Sequence, residues 1–335
     1  MGVTIHVVGV SGGKDSGVVG ALAKARQDRT GMAVRYINSD TGNEAPWHRD
    51  HLEAYGRALG ITIEFITQNF DDAIARRRER LPVQWAENGV PQHLIDHALE
   101  MLHPTGIPYL DLVLSKGMFA AGARRKFCTE ELKIRPAEEQ VVKPILSAGG
   151  NVVQWYGIRS DESAKRADET RHPRFGRIRT NKVDGWGWTI EHRPILDWTV
   201  DMVVAAHKHF GIPMNPAYGA GFSRYGCFPC INERKAGMAI IARRYPEEVA
   251  RIAEWERRVS ACNVSWKKPE NFARRDPATF FPAGTVPRMD RNDIHDVASW
   301  SLHARGNRQA DWLAGFVPDQ QFYACTGGTG WCESA

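Results

Sequence analysis

The stretch IHVVGVSGGKDSGVVGALA, residues 5–23, decides the fold class. Its first six residues, IHVVGV, are an apolar run of strand length, and from Ser16 to about residue 27 the apolar spacing becomes helical. Between strand and helix stands Ser11-Gly12-Gly13-Lys14-Asp15-Ser16. A glycine pair at such a junction lets backbone N–H groups approach phosphate oxygens, and the helix N-terminus adds its partial positive charge. Lys14 adds a point charge. The hexamer is not the Walker A loop, which needs a glycine where Val8 stands and a hydroxyl where Asp15 stands.

Outward from this stretch, residues 33–38 (AVRYIN) read as a second strand, 47–59 as a helix stopping before Gly60, and 61–66 (ITIEFI) as a third strand. This is a βαβαβ unit, whose parallel strands end on one edge where ligands bind. The expected fold is α/β: a Rossmann-like parallel sheet flanked by helices, with a C-terminal cysteine-bearing lobe. Residues 71–103 read as helical, and the run Arg76-Arg77-Arg78 within them as a solvated helix face ahead of a nucleic-acid patch. Residues 151–158 and the segment 186–195 return to the sheet, 201–210 and 233–258 are helical, and the Pro- and Gly-rich tail from about 264 is mostly irregular. The expected division is a nucleotide-binding domain over 1–200 and a helical and irregular lobe over 201–335.

The 335 residues, 42% hydrophobic and 25% charged, have the composition of an ordinary globular protein. A net charge of +5 favours anionic substrates or polyanionic partners. No apolar run reaches the ~18 residues of a membrane span, and the N-terminus lacks the features of a secretory signal, so a cytoplasmic protein without membrane association is expected. Six cysteines stand at 128, 227, 230, 262, 325 and 332. In a cytosolic chain, a CxxC pair with scattered partners points to metal or redox work rather than a disulfide framework.

Several residues fall on the ligand edge. The second strand runs into Asn38-Ser39-Asp40-Thr41-Gly42-Asn43-Glu44, which makes Asp40 and Thr41 candidates for adenosine contacts; Asp40 is equally a candidate helix-capping carboxylate. At Gly157-Ile158-Arg159-Ser160-Asp161-Glu162-Ser163, a strand-end arginine can neutralise phosphate or sulfate. Glu162 can orient that arginine, help hold a metal ion, or make a surface salt bridge. Residues 159–182 hold eight Lys or Arg against four Asp or Glu, a local anion trap. Cys227 and Cys230 can share one iron or zinc, whereas a [4Fe–4S] cluster needs four ligands.

The hexamer 11–16 resembles SGGxDS, the PP-loop of ATP pyrophosphatases and related sulfonucleotide enzymes. That resemblance implies an adenine nucleotide α-hydrolase-like fold. Ser11, Gly12, Gly13, Lys14, Asp15 and Ser16 would hold the pyrophosphate end of ATP with magnesium while AMP and pyrophosphate form. Asp40-Thr41-Gly42 resembles the phosphoadenosine phosphosulfate (PAPS) reductase family, and Gly157-x-Arg159 through Ser163 with Arg166 resembles its GxRxxES segment, which implies that Gly157, Arg159 and Arg166 face the nucleotide. Pro194–Thr199 and Ile212–Tyr218 resemble the family's PI-x-DWT and IP-x-NPLY segments and read as structural, their Asn and Pro setting turns.

The cysteines narrow the resemblance. Phe127–Pro136 resembles the segment where adenylyl-sulfate (APS) reductases carry two adjacent cysteines; here Cys128 survives and Thr129 takes the second place. Gly226–Cys230 resembles their GCxPC segment. The implied ligand set is Cys128, Cys227 and Cys230, with a fourth from Cys262, Cys325 or Cys332. Its rival is a zinc site of Cys227, Cys230, Cys325 and Cys332. Cys262 also reads as a buried small hydrophobe. Cys128 follows Arg124-Arg125-Lys126, cations that favour a thiolate, which makes it a candidate sulfur carrier. The reductases' C-terminal ECG[IL]H motif is absent; Cys332-Glu333-Ser334 supplies neither its Gly nor its His. Thr105–Pro108, Leu110–Leu112 with Lys116-Gly117, and the CTxELK block resemble phage- and prophage-type PAPS-reductase-like proteins. The chain is also similar to the ATP-pyrophosphatase subunit of DNA phosphorothioation systems.

The function this resemblance implies is an iron–sulfur ATP pyrophosphatase that activates an acceptor for sulfur transfer. The acceptor would be nucleic acid, DNA ahead of RNA. Lys14, Asp15, Arg159, Glu162 and Cys128 would be the catalytic residues and a cysteine desulfurase the sulfur donor; oligomeric state is open. Two alternatives remain: an APS or PAPS reductase using a thiol donor, and a non-catalytic nucleotide- or nucleic-acid-binding module.

Overall fold

A computed structural model describes residues 2–120, 127–162, 166–167, 176–263, 278–289 and 292–303. Cys325, Cys332, Ser163 and the basic run 124–126 lie outside the described residues. In chain order come β1 (Thr4–Gly9), α1 (Lys14–Thr30), β2 (Ala33–Ser39), α2 (His48–Leu59) and β3 (Ile63–Ile66). Then follow α3 (Asp71–Glu87), α4 (Gln92–Met101), α5 (Pro108–Lys116) and α6, a continuous helical stretch over 127–147. The sheet resumes with β4 (Asn151–Trp155), β5 (Ile178–Val183) and β6 (Gly187–His192). The chain continues through α7 (Val200–Phe210), α8 (Pro216–Gly219), α9 (Lys235–Arg244), α10 (Pro246–Ala261) and α11 (Ile294–Leu302).

The strands form one sheet in the order β3-β2-β1-β4-β6-β5, parallel throughout except for the antiparallel β5–β6 hairpin. From β1 the chain builds outward through β2 to β3, then returns to lay β4 on the other side of β1. The crevice beyond the ends of β1 and β4 is therefore the topological switch point, where ligands of open α/β sheets bind. Residues 11–16 leave β1 there, and residues 157–159 follow β4.

Each sheet face is apolar and covered. Val8, Val10, Tyr36 and Trp155 pack with α1, α2 and α7, while Val7, Ile37, Ile66 and Val152 pack with the α6 residues Val141, Val142 and Ile145. A third cluster forms the helical lobe and joins residues of α3, α4 and α5 to residues of α9, α10 and α11. Packing thus crosses the boundary expected near residue 200 in both directions.

Five local expectations are corrected. The helix expected over 71–103 is two helices, parted at Asn88–Pro91, where Gly89 takes φ +76° and Pro91 cannot extend a helix backwards. The helix expected over 233–258 is likewise parted at Tyr245-Pro246. β5 was not expected, and the tail read as irregular contains α11, started by a capping box between Asp293 and Asp296. The arginine run is not simply solvated. Arg77 donates to Ser115 O (3.0 Å) and Cys262 O (2.5 Å), and Arg78 to Leu99 O and Leu102 O (2.5 Å each), so both cap carbonyls at helix C-termini.

In α6, Pro136 and Pro144 offer no N–H to the carbonyl four residues back. The helix widens into π turns at Glu130–Ile134 and Glu138–Val142. Such turns are often found beside functional sites, and the first carries Lys133.

Candidate functional site

The loop is braced from within and from without. Gly12 takes φ +74°, a left-handed conformation that disfavours side chains, and an added Cβ would meet Tyr225 at 3.1 Å and His48 at 3.3 Å. Gly13 caps α1 from an extended conformation without a side-chain bond. Ser16 Oγ donates to Gly13 O (3.0 Å) and accepts from Ser11 N (3.1 Å) and Ser11 Oγ (3.0 Å), closing the loop. The first N–H groups of a helix have no intrahelical partner. Here Lys14 N–H donates to Tyr218 Oη at 3.0 Å. Lys14 Nζ lies 3.7 Å from Asp15 Oδ2, 3.5 Å from Ser223 O and 5.0 Å from the centre of the Tyr218 ring. Burial lowers its pKa, Asp15 opposes that shift and Arg159 adds to it.

Beneath the loop lie neutral polar groups. Asn215 Nδ2 donates to Gly12 O (3.0 Å), and His207 Nε2 donates to Lys14 O (2.8 Å). His48 joins Tyr225 Oη through Nδ1 (2.9 Å) and approaches Asn38 Oδ1 through Nε2 (3.4 Å). Burial pushes His48 and His51 down to about 4 and lowers His207 as well, so none of the three carries charge near neutral pH.

The β4 end supplies a buried clasp. Arg159 donates to Asp15 Oδ1 (2.5 Å) and Asp161 Oδ2 (2.9 Å), and lies 3.4 Å from Trp198 O. Its charge is compensated by two carboxylates, so Arg159, expected from the sequence to neutralise phosphate, here ties β4 to the loop. Gly157 backs directly onto the loop: an added Cβ would stand 2.9 Å from Ser16 N and 3.0 Å from Asp15 C. Glu162 and Arg166 form an i,i+4 ion pair with each other. Asp40 Oδ1 accepts from Gly42 N (3.1 Å), and its other oxygen lies 3.5 Å from Arg49. Thr41 is fully buried, its hydroxyl donating to Glu44 Oε1 (2.5 Å), so its side chain is committed to this turn.

The same turn reaches the cysteines. Asn43 Nδ2 donates to Pro229 O (3.1 Å), and Phe228 N donates to Asn43 O (2.7 Å). Trp47 Nε1 donates to Asn215 Oδ1 (3.1 Å). Residues 43–48 are therefore a wall shared by the phosphate loop and the Cys227–Cys230 segment.

Cys128, Cys227 and Cys230 form one electrostatic group with Lys133 and Glu44. Burial pushes Cys227 up to about 11, with Lys133 opposing the shift and Cys230, Glu44 and Cys128 adding to it. Burial also raises Cys128, and Cys230 raises it further. Lys133 is raised, by the Cys227 thiolate before all else. Buried thiols that repel one another ionise together only beside compensating positive charge. Tyr109 adds a further sign. It is 1% exposed, stacked on Trp255, and its hydroxyl has no hydrogen-bond partner. Burial and then the three thiols raise its pKa, so the orphan hydroxyl lies within their field. A group bringing sulfur acceptors would satisfy it, and three soft donors suit iron–sulfur chemistry. Among the described residues no set of three His, Cys, Asp or Glu is gathered to share a single ion. Cys262 is separate: it is fully buried, with Sγ 3.6 Å from Ala98 O in the helical lobe.

The comparisons with known proteins fall on this arrangement. The phosphoadenosine phosphosulfate reductase domain model matches residues 109–233, from Tyr109 through the CxxC segment. Over 330 residues the chain is 36% identical to an uncharacterized 37.8 kDa protein of Escherichia phage 186, spanning 93% of this chain and 92% of that one. The chain belongs to the PAPS-reductase-like PP-loop family. Within this family, the adenosine 5'-phosphosulfate reductase of Rhizobium tropici is 31% identical over 97 residues, 29% of this chain and 49% of that enzyme. Among solved structures, PAPS reductase from Candida auris matches 68% of this chain and 82% of its own at 14% identity and a TM-score of 0.37. The U34-tRNA thiolase of Methanococcus maripaludis with its [4Fe–4S] cluster matches 90% and 84% at 13% identity and a TM-score of 0.33. The PAPS-reductase-like domain marks the protein as a sulfur-related member of the PP-loop superfamily.

Several site residues were not singled out as such from the sequence. Asn215 and Tyr218 sit in a segment read as structural, yet both contact the loop. His48, His207, Tyr225 and Tyr109 carry no local signal, because their roles arise from contacts distant in sequence, and Lys133 stands in the CTxELK block without its pairing to the cysteines being legible there.

Proposed function

We propose that this protein cleaves ATP between the α- and β-phosphates and uses the resulting adenylate to drive sulfur transfer to nucleic acid, DNA ahead of RNA. The observation that carries the reading is the shared wall. Residues 43–48 hold both the phosphate loop, through Trp47 and Asn215, and the Cys227–Cys230 segment, through Asn43. On this reading, nucleotide activation and thiol chemistry would take place on either side of that wall.

In this reading the amides of Gly13, Asp15 and Ser16 bind the pyrophosphate end of ATP, with magnesium travelling on the phosphates and Lys14 offsetting charge on the leaving group. An acceptor oxygen attacks the α-phosphorus, its bond to pyrophosphate breaks, and the acceptor leaves that step as an adenylate ester. A sulfur nucleophile then attacks the activated centre, and the oxygen departs with AMP. A [4Fe–4S] cluster on Cys128, Cys227, Cys230 and a fourth thiolate would hold and deliver sulfur. Lys133 compensates the thiolates' charge, and Arg159 keeps Asp15 and the start of α1 in register with β4. The net charge of +5 suits a polyanionic acceptor.

The match to the reductase domain and to the Rhizobium tropici enzyme favours a second reading: release of sulfite from APS or PAPS at the expense of an external thiol pair. The two are separated by supplying 35S-cysteine with a cysteine desulfurase, ATP and DNA or RNA under anaerobic conditions. ATP-dependent 35S in the nucleic acid supports the first. Sulfite from labelled APS or PAPS, with no 35S in nucleic acid, establishes the second.

A further inference from the structure

A phosphate-binding loop must aim its N–H groups at the ligand and its carbonyl groups elsewhere. Because a trans peptide is planar, the C=O of one residue and the N–H of the next point in opposite directions. The orientation of the Gly12 carbonyl therefore sets the direction of the Gly13 N–H. That carbonyl is held by Asn215, whose Nδ2 donates to it at 3.0 Å. Asn215 is 2% exposed and cannot usefully turn over. Its Oδ1 already accepts from Trp47 Nε1 (3.1 Å) and Ala217 N (2.9 Å), so the amide nitrogen must face Gly12. With φ of +74°, Gly12 lacks the side chain that would otherwise restrict this peptide, so its orientation rests on the clamp.

We propose that Asn215 is a positioning residue that fixes the Gly12–Gly13 peptide with its N–H toward the crevice, and so makes the loop competent to bind a pyrophosphate group. The inference rests on the reading of residues 11–16 as a phosphate loop. Asn215→Asp is the discriminating change. It is close to isosteric and keeps the oxygen that accepts from Trp47 and Ala217. It replaces the donor facing Gly12 O with an oxygen, which repels that carbonyl when ionised and donates to it when protonated.

The test is pyrophosphate binding to the full-length protein by titration calorimetry at pH 8 and pH 5.5, with thermal unfolding alongside. Burial holds His48 and His51 near 4, and Tyr225 is raised, so these neighbours keep one protonation state across the range. The expected result is at least about tenfold weaker binding by N215D than by wild type at pH 8, and a narrower gap at pH 5.5. A folded N215D with wild-type affinity at pH 8, or an equal deficit at both pH values, overturns the proposal. Should N215D not fold, selective 15N-glycine spectra of the wild type decide: pyrophosphate must slow exchange of the Gly13 amide, and an unaffected amide refutes the assignment. Wild-type protein that binds neither pyrophosphate nor ATP refutes the loop reading itself and this inference with it.

Discussion

Replacing Gly157 with alanine perturbs the site without altering a charge or hydrogen-bonding group. The new Cβ would stand 2.9 Å from Ser16 N, 3.0 Å from Asp15 C and 3.1 Å from Asp15 O, all backbone atoms that cannot rotate away. Ordinary non-bonded contacts begin near ~3.5 Å, so β4 and the first turn of α1 must part by roughly half an ångström. Overpacking of this kind costs about 1–3 kcal/mol. The displaced peptide carries the Ser16 amide, which binds pyrophosphate in the proposed function, and misplacing reacting groups by ~1 Å can cost about 100-fold in rate. The variant should therefore lose roughly 10- to 100-fold in kcat/KM for AMP formation while its thermal midpoint falls by only several degrees. Gly9→Ala is the control, since nothing lies within 4 Å of its added Cβ. Wild-type kcat/KM in G157A, or an equal loss in G9A, would refute the reasoning.

Other expectations follow from the same contacts. Lys14→Ala and Asp15→Ala should abolish AMP formation with the far-ultraviolet dichroism intact; normal turnover in both would remove the loop from the chemistry. Cys227→Ser should lose iron and visible absorbance after anaerobic reconstitution, while Cys262→Ser, in the helical lobe, should keep both. Tyr109→Phe should retain iron but shift the reduction potential of the reconstituted protein, since it removes an unpartnered hydroxyl within the thiols' field; an unchanged potential would leave Tyr109 a packing residue. Glu256 accepts from Phe280 N (2.7 Å) and Ile294 N (2.9 Å), and burial pushes its pKa up from 4.5 to about 7. A carboxyl raised on folding stabilises the folded state most below its unfolded pKa, and loses that advantage as pH rises through the folded value. Its contribution should thus decline by about 3 kcal/mol at most between pH 4.5 and pH 7. In urea titrations Glu256→Gln should flatten that part of the profile; an unchanged slope would contradict the assignment.

Much of the fold was legible because its signals are local. The apolar run 5–10, the glycine pair and the helical spacing after Ser16 are enough to specify a strand, a phosphate loop and a helix. The α11 capping box escaped notice because it uses Asp296 where Glu or Gln is usual, within a tail rich in Pro and Gly. Arg77 and Arg78 read as solvated because the carbonyls they cap belong to other helices. The candidate site was legible in part, for the same reason. Ser11 to Ser16, Gly157 and Arg159 announce themselves by type and spacing. Asn215 looks like a turn residue because it is one, through the Ala217 amide, and its second bond to Gly12 lies some two hundred residues away in the chain. Tyr109 and Lys133 matter only because the fold brings them to cysteines in other segments.

The most direct test of the account is anaerobic incubation with α-labelled ATP, with and without DNA or RNA, resolving AMP from ADP and uncleaved ATP. The account predicts AMP and pyrophosphate in equal amounts, stimulated by nucleic acid and lost in Lys14→Ala. ADP as the product, or ATP left intact while APS or PAPS is turned over, would contradict it.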